Sequence, residues 1–303
     1  MVDFYSRFAK EMSGIRVNGL KSGLPYEYGC SLTLGIVFKG PEGIVLAVDS
    51  RVTLTSELRD PNQDKIMLLP STYDNATKLL RVKGQDFVGA ITYGLGAIGQ
   101  RDFRTAHSLV PEFEHELEGS KRLSVREFAK KLSDFYLHQW NNLMPKDYKG
   151  EPMIFLVGGY DERAAYGRIF EVIIPTRPEP EEWNAEDFGV VWGGQREFTD
   201  RIIQGFDPGA PSIIQKSLAL GDDQMTKLVN DLRSRLGVHI PYPFLPLQDC
   251  VDLAIFLIRT TITIQGWIAG VRGVGGAIDV ATITRTEGFK SVQQKTVLGE
   301  RKL

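Results

Sequence analysis

Short apolar runs separated by turn residues dominate the first third of the chain. The runs SLTLGIVF and GIVLAVDS flank the turn KGPE at residues 39–42, and the runs KLLRV and DFVGAITY flank the turn KGQ at residues 83–85. Apolar runs of this length on either side of a short turn indicate β-hairpins. The pattern therefore predicts two hairpins, over residues 31–50 and 78–93, joined by a polar loop.

Helical spacing of apolar residues follows the two hairpins. It extends from residue 97 to about residue 117 and again from residue 124 to residue 143. Ser124 stands three residues ahead of Glu127, which is the spacing of a capping box. Two consecutive helices are therefore predicted after the four strands.

The rest of the chain returns to strand character and then to helical spacing. Strands are predicted for MIFLVGGY, GRIFEVII and FGVVWGG, with turn residues in the proline-rich segment TRPEPEE. Helices are predicted around residues 197–204, 222–236 and 247–268, and GAIDVATIT and KSVQQK are predicted to close the chain as strands. Because strands and helices come in blocks, the order disfavours a parallel βαβ series and favours a pair of sheets between helix layers.

The composition is that of a globular protein with a full core, since 42% of its 303 residues are hydrophobic and 24% are charged. Thirty-six basic residues against thirty-eight acidic ones leave a formal charge of -2, so no overall positive field favours nucleic acid as a partner. The two cysteines, Cys30 and Cys250, are too few for a disulfide framework and suit a reducing compartment. The expected location is the cytoplasm.

The most apolar stretch, residues 251–271, has nearly the length of a membrane span. Asp252 and Arg259 interrupt it, which favours a buried helix, and no membrane association is expected. Residues 1–14 lack the uninterrupted apolar core and the small-residue cleavage site of a secretory signal. They are compatible with a removable leader.

Residues 94–99 read GLGAIG and match the glycine fingerprint of dinucleotide-binding folds, after a predicted strand and before a predicted helix. That fingerprint requires an acidic residue at the end of a second parallel strand about twenty positions later. Glu112, Glu114 and Glu116 lie instead in a polar helical stretch. The glycines are better explained as residues that ease a tight turn, and no cofactor is expected.

Five segments between residues 29 and 295 resemble, in order, the strands and turns around the active site of proteasome β-type subunits. They are SLTLGIVF, GIVLAVDSRVT, KLLRV, FVGAITYGLGAIGQ and GGAIDVATI. The resemblance implies a divergent bacterial or archaeal member of this family, with an α+β fold in which two antiparallel sheets form a four-layer αββα sandwich with helices. It implies an N-terminal nucleophile hydrolase, a threonine-type endopeptidase whose first residue attacks the peptide bond after a leader ending in glycine is removed.

The resemblance also implies roles for three residues. An N-terminal nucleophile uses its own α-amine as the base. Lys78 would supply a positive charge that lowers the pKa of the nucleophile, and Asp49 would pair with Lys78 and orient it. The backbone N–H of Gly94 would donate to the oxyanion, an interaction worth about two to four kcal/mol in other enzymes. Lys65 stands nearer to the family's distance from Asp49, but Lys78 leads directly into the KLLRV hairpin, so the residues between Asp49 and Lys78 are expected to form an inserted loop.

No threonine follows Gly29, where the leader is expected to end. Alignment of LTLGI with the family's first strand places Ser31 at the position of the nucleophile, with Thr33 on the same face of the strand two residues later. Cleavage after Gly29 would instead expose Cys30, a stronger nucleophile at neutral pH, at the cost of a one-residue bulge in the strand. The alignment favours Ser31 over Cys30.

Groups that support the terminal amine in the family are replaced in this chain. An aspartate and a serine are expected before GGAIDV, where the sequence carries Val271 and Val274, and a further serine is replaced within GGQ at residues 193–195. The alternative function is therefore a catalytically silent structural subunit of a ring.

The residues that resemble the family's substrate pocket are Val52, Thr92 and Gly96. They are small and uncharged, which predicts a preference for apolar or bulky side chains at the cleavage position. By resemblance, the partners are a peptide or unfolded protein as substrate, further copies of the chain in a homo-oligomeric ring, and an ATPase.

The chain is expected to divide into a leader or N-terminal extension, residues 1–29, and a proteasome-type hydrolase domain, residues 30–303. Residues 207–246 have no clear counterpart in the family. They are expected to form an inserted surface excursion with one extra helix.

Overall fold

The computed structural model describes residues 33–59, 66–99, 102–297 and 299. In this part of the chain the fold is α+β, and neighbouring strands pair in antiparallel fashion. Two five-stranded sheets form its centre. The α+β class expected from the blocks of strands and helices is confirmed.

The first sheet has the strand order β12-β1-β2-β13-β14 and the second has the order β11-β10-β9-β6-β5. The strands of the first sheet are β1 (Leu34–Lys39), β2 (Ile44–Asp49), β12 (Gly189–Gly194), β13 (Ile278–Thr284) and β14 (Gly288–Gln293). The strands of the second sheet are β5 (Leu79–Leu80), β6 (Val88–Gly94), β9 (Met153–Gly159), β10 (Arg168–Ile174) and β11 (Arg177–Trp183). Two ribbons complete the strands: β3 (Arg51–Arg59) with β4 (Ile66–Asp74), and β7 (Ala97–Ile98) with β8 (Arg104–Thr105).

The helices of the described residues follow the strand blocks. They are α1 (Val110–Glu116), α2 (Val125–Leu143), α3 (Glu197–Ile203), α4 (Ala210–Leu218), α5 (Asp222–Leu236) and α6 (Leu247–Trp267). Ser124 caps α2 by accepting from the Glu127 amide, and the Glu127 carboxylate accepts from the Ser124 amide. The capping box predicted for this helix is confirmed.

Strand β2 is buried on both faces, which explains its continuous apolar run. Val45 and Ala47 pack in the cluster beneath helix α6, whereas Leu46 and Val48 pack in the cluster between the two sheets. A third cluster joins the other face of the second sheet to α1 and α2. The core of the described residues therefore consists of three apolar clusters, and the strands of the two sheets contribute to all of them.

Most of the described residues between Asp49 and Lys78 belong to the β3–β4 ribbon, so the expectation of an inserted loop is wrong for them. Strand β3 pairs with β4 from Arg51↔Asp74 to Arg59↔Ile66. At the base of the ribbon, Arg51 Nε and Nη2 donate to the Asp74 carboxylate at 2.5 and 2.7 Å. The pairing of Arg51 with Asp74 holds the two ends of the ribbon together, and it therefore brings the residues before and after the ribbon close to each other.

Lys65 lies outside the described residues. So do residues 1–32, which include the expected leader and the two candidate nucleophiles Cys30 and Ser31.

Three other sequence-based expectations need correction. The first predicted helix is shorter: residues 97–98 pair with residues 104–105, and α1 begins only at Val110, with proline in its first turn, where a missing N–H is tolerated. The proline-rich segment forms β11, at the edge of its sheet, where proline removes no central ladder bond. The segment 207–246 contains two helices, α4 and α5, rather than one.

Within the described part of the chain, no helix has the length and apolarity that crossing a bilayer would require. Most of the apolar stretch 251–271 lies in α6, which packs one face against the first sheet, with Ala254, Leu257 and Ile258 fully buried. Its other face is exposed, with Phe256 and Trp267 53% and 80% exposed, so the expected buried helix is buried on one face.

Candidate active site

Asp49 ends strand β2 and is fully buried. Its Oδ1 accepts from the Leu34 amide at 3.1 Å, and its Oδ2 accepts from the amides of Arg51 at 3.1 Å and Gly275 at 3.0 Å. Burial raises the pKa of Asp49, and the charge of Lys78 and these three amides act in the opposite direction. The carboxylate therefore joins β1, the ribbon and the turn before β13 at one point.

Lys78 lies directly before β5 and is also buried. Its Nζ donates to Asp49 Oδ1 at 3.2 Å and to Thr33 Oγ1 at 2.6 Å, and it makes a third, short contact with the Arg51 carbonyl. Burial lowers the pKa of Lys78, while Asp49 opposes that shift. The amine thus has a tight set of oxygen partners, one of which is a hydroxyl.

Thr33 is the residue that sequence reasoning missed as a candidate nucleophile. It stands at the head of β1, is 4% exposed, and its carbonyl accepts from the Gln195 amide at 2.7 Å. Among the described residues, its hydroxyl is the one that contacts the Lys78 amine. Ser31 and Cys30 precede it outside the described range.

The register of the first hairpin places Thr33 near Asp49. In that hairpin Gly35 pairs with Val48, and the Leu34 amide bonds to Asp49. Counting outward from the predicted KGPE turn would pair Phe38 with Gly43 and place Leu32 opposite Asp49. The observed turn lies one residue later, at residues 40–43, so Lys39 pairs with Ile44 and Thr33 comes directly before the residue opposite Asp49. Alignment by apolar pattern alone missed this because apolar patterns do not count hydrogen-bond pairs.

A small cavity opens on Lys78 and Thr33. The predicted pocket residues Val52, Thr92 and Gly96 line it together with Gly94. The other lining residues are Ala76, Thr77, Tyr93, Leu95, Thr105 and Ala106. The lining carries one charged side chain, that of Lys78, and the rest is neutral.

Gly94 ends β6 with φ +80°, a conformation that favours glycine. A Cβ built on it would lie 2.3 Å from the carbonyl oxygen of Pro152. Residues 97–98 after it are a strand, so the GLGAIG segment does not open a helix. The interpretation of these glycines as turn residues is confirmed.

The regions where support for the terminal amine was expected contain neutral amides. Gln265 Oε1 accepts from the Val274 amide at 3.0 Å, and Gln265 Nε2 makes a short contact with Gln195 Oε1. Val271, by contrast, is half exposed. Two glutamines therefore occupy the region in which the resemblance implied carboxylate and hydroxyl groups.

Cys250 is 2% exposed, and burial raises the pKa of its thiol to about 11. A thiol in this state is a poor nucleophile at neutral pH. Within the described ranges, no group of three or more histidine, cysteine, aspartate or glutamate side chains is placed to hold a metal ion.

No protein-family model matches the chain, and no curated protein matches it. Its fold is similar to that of the helical assembly of the Anbu complex from Pseudomonas aeruginosa, with a TM-score of 0.50 and 12% sequence identity over 87% of this chain and 88% of that chain. The assignment to the proteasome β-type subunit family is therefore wrong. The described residues of its five segments lie mostly in buried strands and in the turns that end them. Such segments indicate the architecture around the charged pair, but they do not distinguish one family with that architecture from another. At this level of identity, the similarity to the Anbu complex establishes a shared fold.

Proposed function

We propose that the chain is a hydrolase of the N-terminal nucleophile type that cleaves peptide bonds, with Thr33 as the nucleophile. The observation that carries the proposal is the buried contact between Thr33 Oγ1 and Lys78 Nζ at 2.6 Å, with Asp49 on the other side of the amine and a cavity beside the hydroxyl. A hydroxyl, a cation and an orienting carboxylate in one enclosed place are the parts that activate a nucleophile.

In the proposed reaction, the free α-amine of Thr33 takes the proton from its own hydroxyl as Oγ attacks the carbonyl carbon of the substrate. The positive charge of Lys78 stabilises the developing alkoxide, and Asp49 orients Lys78. The tetrahedral intermediate then expels the amine half of the substrate, which receives the proton, and leaves an ester on Thr33. Water hydrolyses the ester, releasing the carboxylic acid and restoring the hydroxyl.

This reaction requires that Thr33 be the first residue of the mature chain. Attack of the Thr33 hydroxyl on the Leu32 carbonyl would replace the peptide bond with an ester, and water would then release the leader as a carboxylate and free the amine. The proposal therefore moves the expected cleavage point from Gly29 to Leu32. In this proposal Thr33 is the nucleophile, in place of Ser31 and Cys30.

The roles of the other cavity residues are part of the proposal. The Gly94 amide is assigned to the oxyanion, and Val52, Thr92 and Gly96 to the side chain at the cleavage position. The neutral lining favours apolar or bulky side chains there. A preference for acidic side chains in a fluorogenic peptide series would contradict this assignment.

The proposed architecture is the four-layer αββα sandwich of N-terminal nucleophile hydrolases, and the proposed working form is a cytoplasmic homo-oligomer that encloses its active sites. Support for self-association comes from the similarity to a protein that forms a helical assembly. It also comes from the exposed apolar residues of the segment 207–246, where Ile213, Leu218 and Phe244 are 66%, 65% and 82% exposed. An ATPase partner stays a prediction.

A silent structural subunit is the second candidate function. The neutral glutamines near Thr33 favour it, because they lack the acid and hydroxyl groups that the resemblance implied for an active site.

Intact-mass spectrometry with peptide hydrolysis assays separates the two. We expect a mature chain that begins at Thr33, turnover of unstructured peptides, and an unprocessed, inactive Thr33→Val variant. Thr33→Ser serves as the matched control, because it keeps the hydroxyl and is expected to keep both processing and activity. A mature chain beginning at Cys30 or Ser31 would contradict the nucleophile assignment, and an unprocessed wild-type chain without turnover would establish the silent subunit.

A further inference from the structure

Gln265 lies in the last turn of helix α6 and is 9% exposed. Both ends of its side-chain amide are bonded. The oxygen accepts from the Val274 amide at 3.0 Å, and the nitrogen donates to the Gln195 side chain. A single side chain thus joins the segment after β12 to the turn before β13.

Each of these two segments holds one member of the candidate site. The Gln195 amide donates to the Thr33 carbonyl at 2.7 Å. On the other side, Gly275, which follows Val274, donates to Asp49 Oδ2 at 3.0 Å. A chain of hydrogen bonds through Gln265 therefore connects the segment that holds Thr33 with the segment that holds Asp49.

We propose that Gln265 is a positioning residue that sets the relative placement of Thr33 and Asp49. The expected effect of Gln265 on catalysis rests on the proposed function. Its connection of the two segments rests on the hydrogen bonds alone. An amide suits the position because it accepts at one end and donates at the other. An ionised glutamate would accept from Val274 but would face the Gln195 oxygen with a second acceptor, and leucine would serve neither end.

Hydrogen exchange tests the geometric part without any need for turnover. In Gln265→Leu, we expect the backbone amides of residues 274 and 275 to exchange at least tenfold faster than in the wild-type chain, measured by mass spectrometry of peptic peptides. Thr261→Val is the matched control, because Thr261 is buried one turn earlier on the same helix and its hydroxyl donates within that helix, to the Leu257 carbonyl. Equal exchange in Gln265→Leu and the control would overturn the inference.

Steady-state kinetics test the catalytic part. We expect Gln265→Leu to lower kcat about tenfold or more with KM changed less than twofold, because the binding cavity is untouched. Gln265→Glu should lose kcat at neutral pH and regain part of it in acid, where the protonated carboxyl can again donate to Gln195. This added ionisation should be missing from the pH profile of Thr261→Val.

An unchanged kcat in Gln265→Leu, despite faster exchange, would overturn the positioning role. Absence of peptide hydrolysis by the wild-type chain would instead count against the proposed function, and the exchange rates would still decide whether Gln265 holds the two segments.

Discussion

Two lysine–aspartate pairs are buried at the same end of the first sheet, and they differ in what surrounds the amine. Lys78 and Asp49 have side chains 6% and 0% exposed, and Lys295 and Asp279 have side chains 10% and 2% exposed. Asp279 follows Ile278, the residue paired with Asp49 across the sheet. In charge the two pairs are the same, and in side-chain burial they are similar.

The two pairs differ in the further hydrogen bonds that they make. Lys78 also donates to a threonine hydroxyl at the edge of a cavity, whereas Asp279 accepts from both the side chain and the backbone amide of Lys295, which ties the segment after β14 to β13. A buried ion pair is by itself weak evidence for either stability or function. The hydroxyl and the cavity make the first pair a candidate site. The second pair connects strand β13 of the first sheet with the segment after β14.

The largest expected effect comes from removing the two amines. Lys78→Met should reduce peptide hydrolysis about 10³-fold, because the cation beside the nucleophile is lost. Lys295→Met should leave kcat within about threefold, since this lysine touches the other aspartate. Assays corrected for the folded fraction would measure both, and equal losses in the two variants would erase the distinction between the pairs.

The two carboxylates give the next effect. Asp49→Asn should lower kcat about 10²-fold, because Lys78 loses the group that orients it. Asp279→Asn should keep kcat but lower the free energy of unfolding by about 3 kcal/mol, since it leaves a buried lysine without its counter-charge. Urea denaturation beside steady-state kinetics measures the two effects. A large fall of kcat in Asp279→Asn would show that the second pair also serves the reaction.

The cavity at the first pair depends on Gly94, and Gly84 is its matched control because the two glycines have φ +80° and +81°. Gly84→Ala should cost about 1 kcal/mol for the left-handed backbone, since a Cβ there meets nothing within 4 Å. Gly94→Ala should cost about 2 kcal/mol more, because its Cβ would overlap the Pro152 carbonyl, and it should impair turnover. Thermal unfolding of both variants measures the difference, and equal costs would remove the steric argument.

The smallest expected effect concerns the ion pair of Arg168 and Glu182, which is more exposed than the two lysine–aspartate pairs. Arg168 donates to Glu182 through Nε at 2.7 Å, and this hydrogen bond holds the pKa of Glu182 below its ordinary value of 4.5. A lowered carboxyl pKa stabilises the fold above pH 4.5, and the stabilisation disappears as the pH falls through the folded-state pKa.

Glu182→Gln should therefore lower the free energy of unfolding by about 1 kcal/mol at pH 7, and the gap should close in acid. Urea titrations at pH 7 and at pH values below 4.5 measure it. A gap that persists in acid would mean that packing, rather than charge, accounts for the loss.

Much of the fold was predictable because local signals agreed with the tertiary structure. The first hairpin forms as predicted, with its turn at residues 40–43, one residue later than the predicted KGPE turn. The ribbon between Asp49 and Lys78 was missed, because its ends are joined by the pairing of Arg51 with Asp74 across 23 positions, which no local pattern displays. The strand β11 was missed because proline signals a turn unless the strand lies at a sheet edge.

The sequence by itself determined which strands are buried, since their apolar runs must leave water, and it placed Asp49 at the end of one of them. The choice of Lys78 as its candidate partner came from the resemblance to proteasome β-type subunits. Only the tertiary structure decided that Thr33 is the hydroxyl in contact with that lysine, because the contact spans 45 positions and depends on strand register. Register and burial are properties of the assembled sheets, and in the described part of the chain they bring the Thr33 hydroxyl to the Lys78 amine.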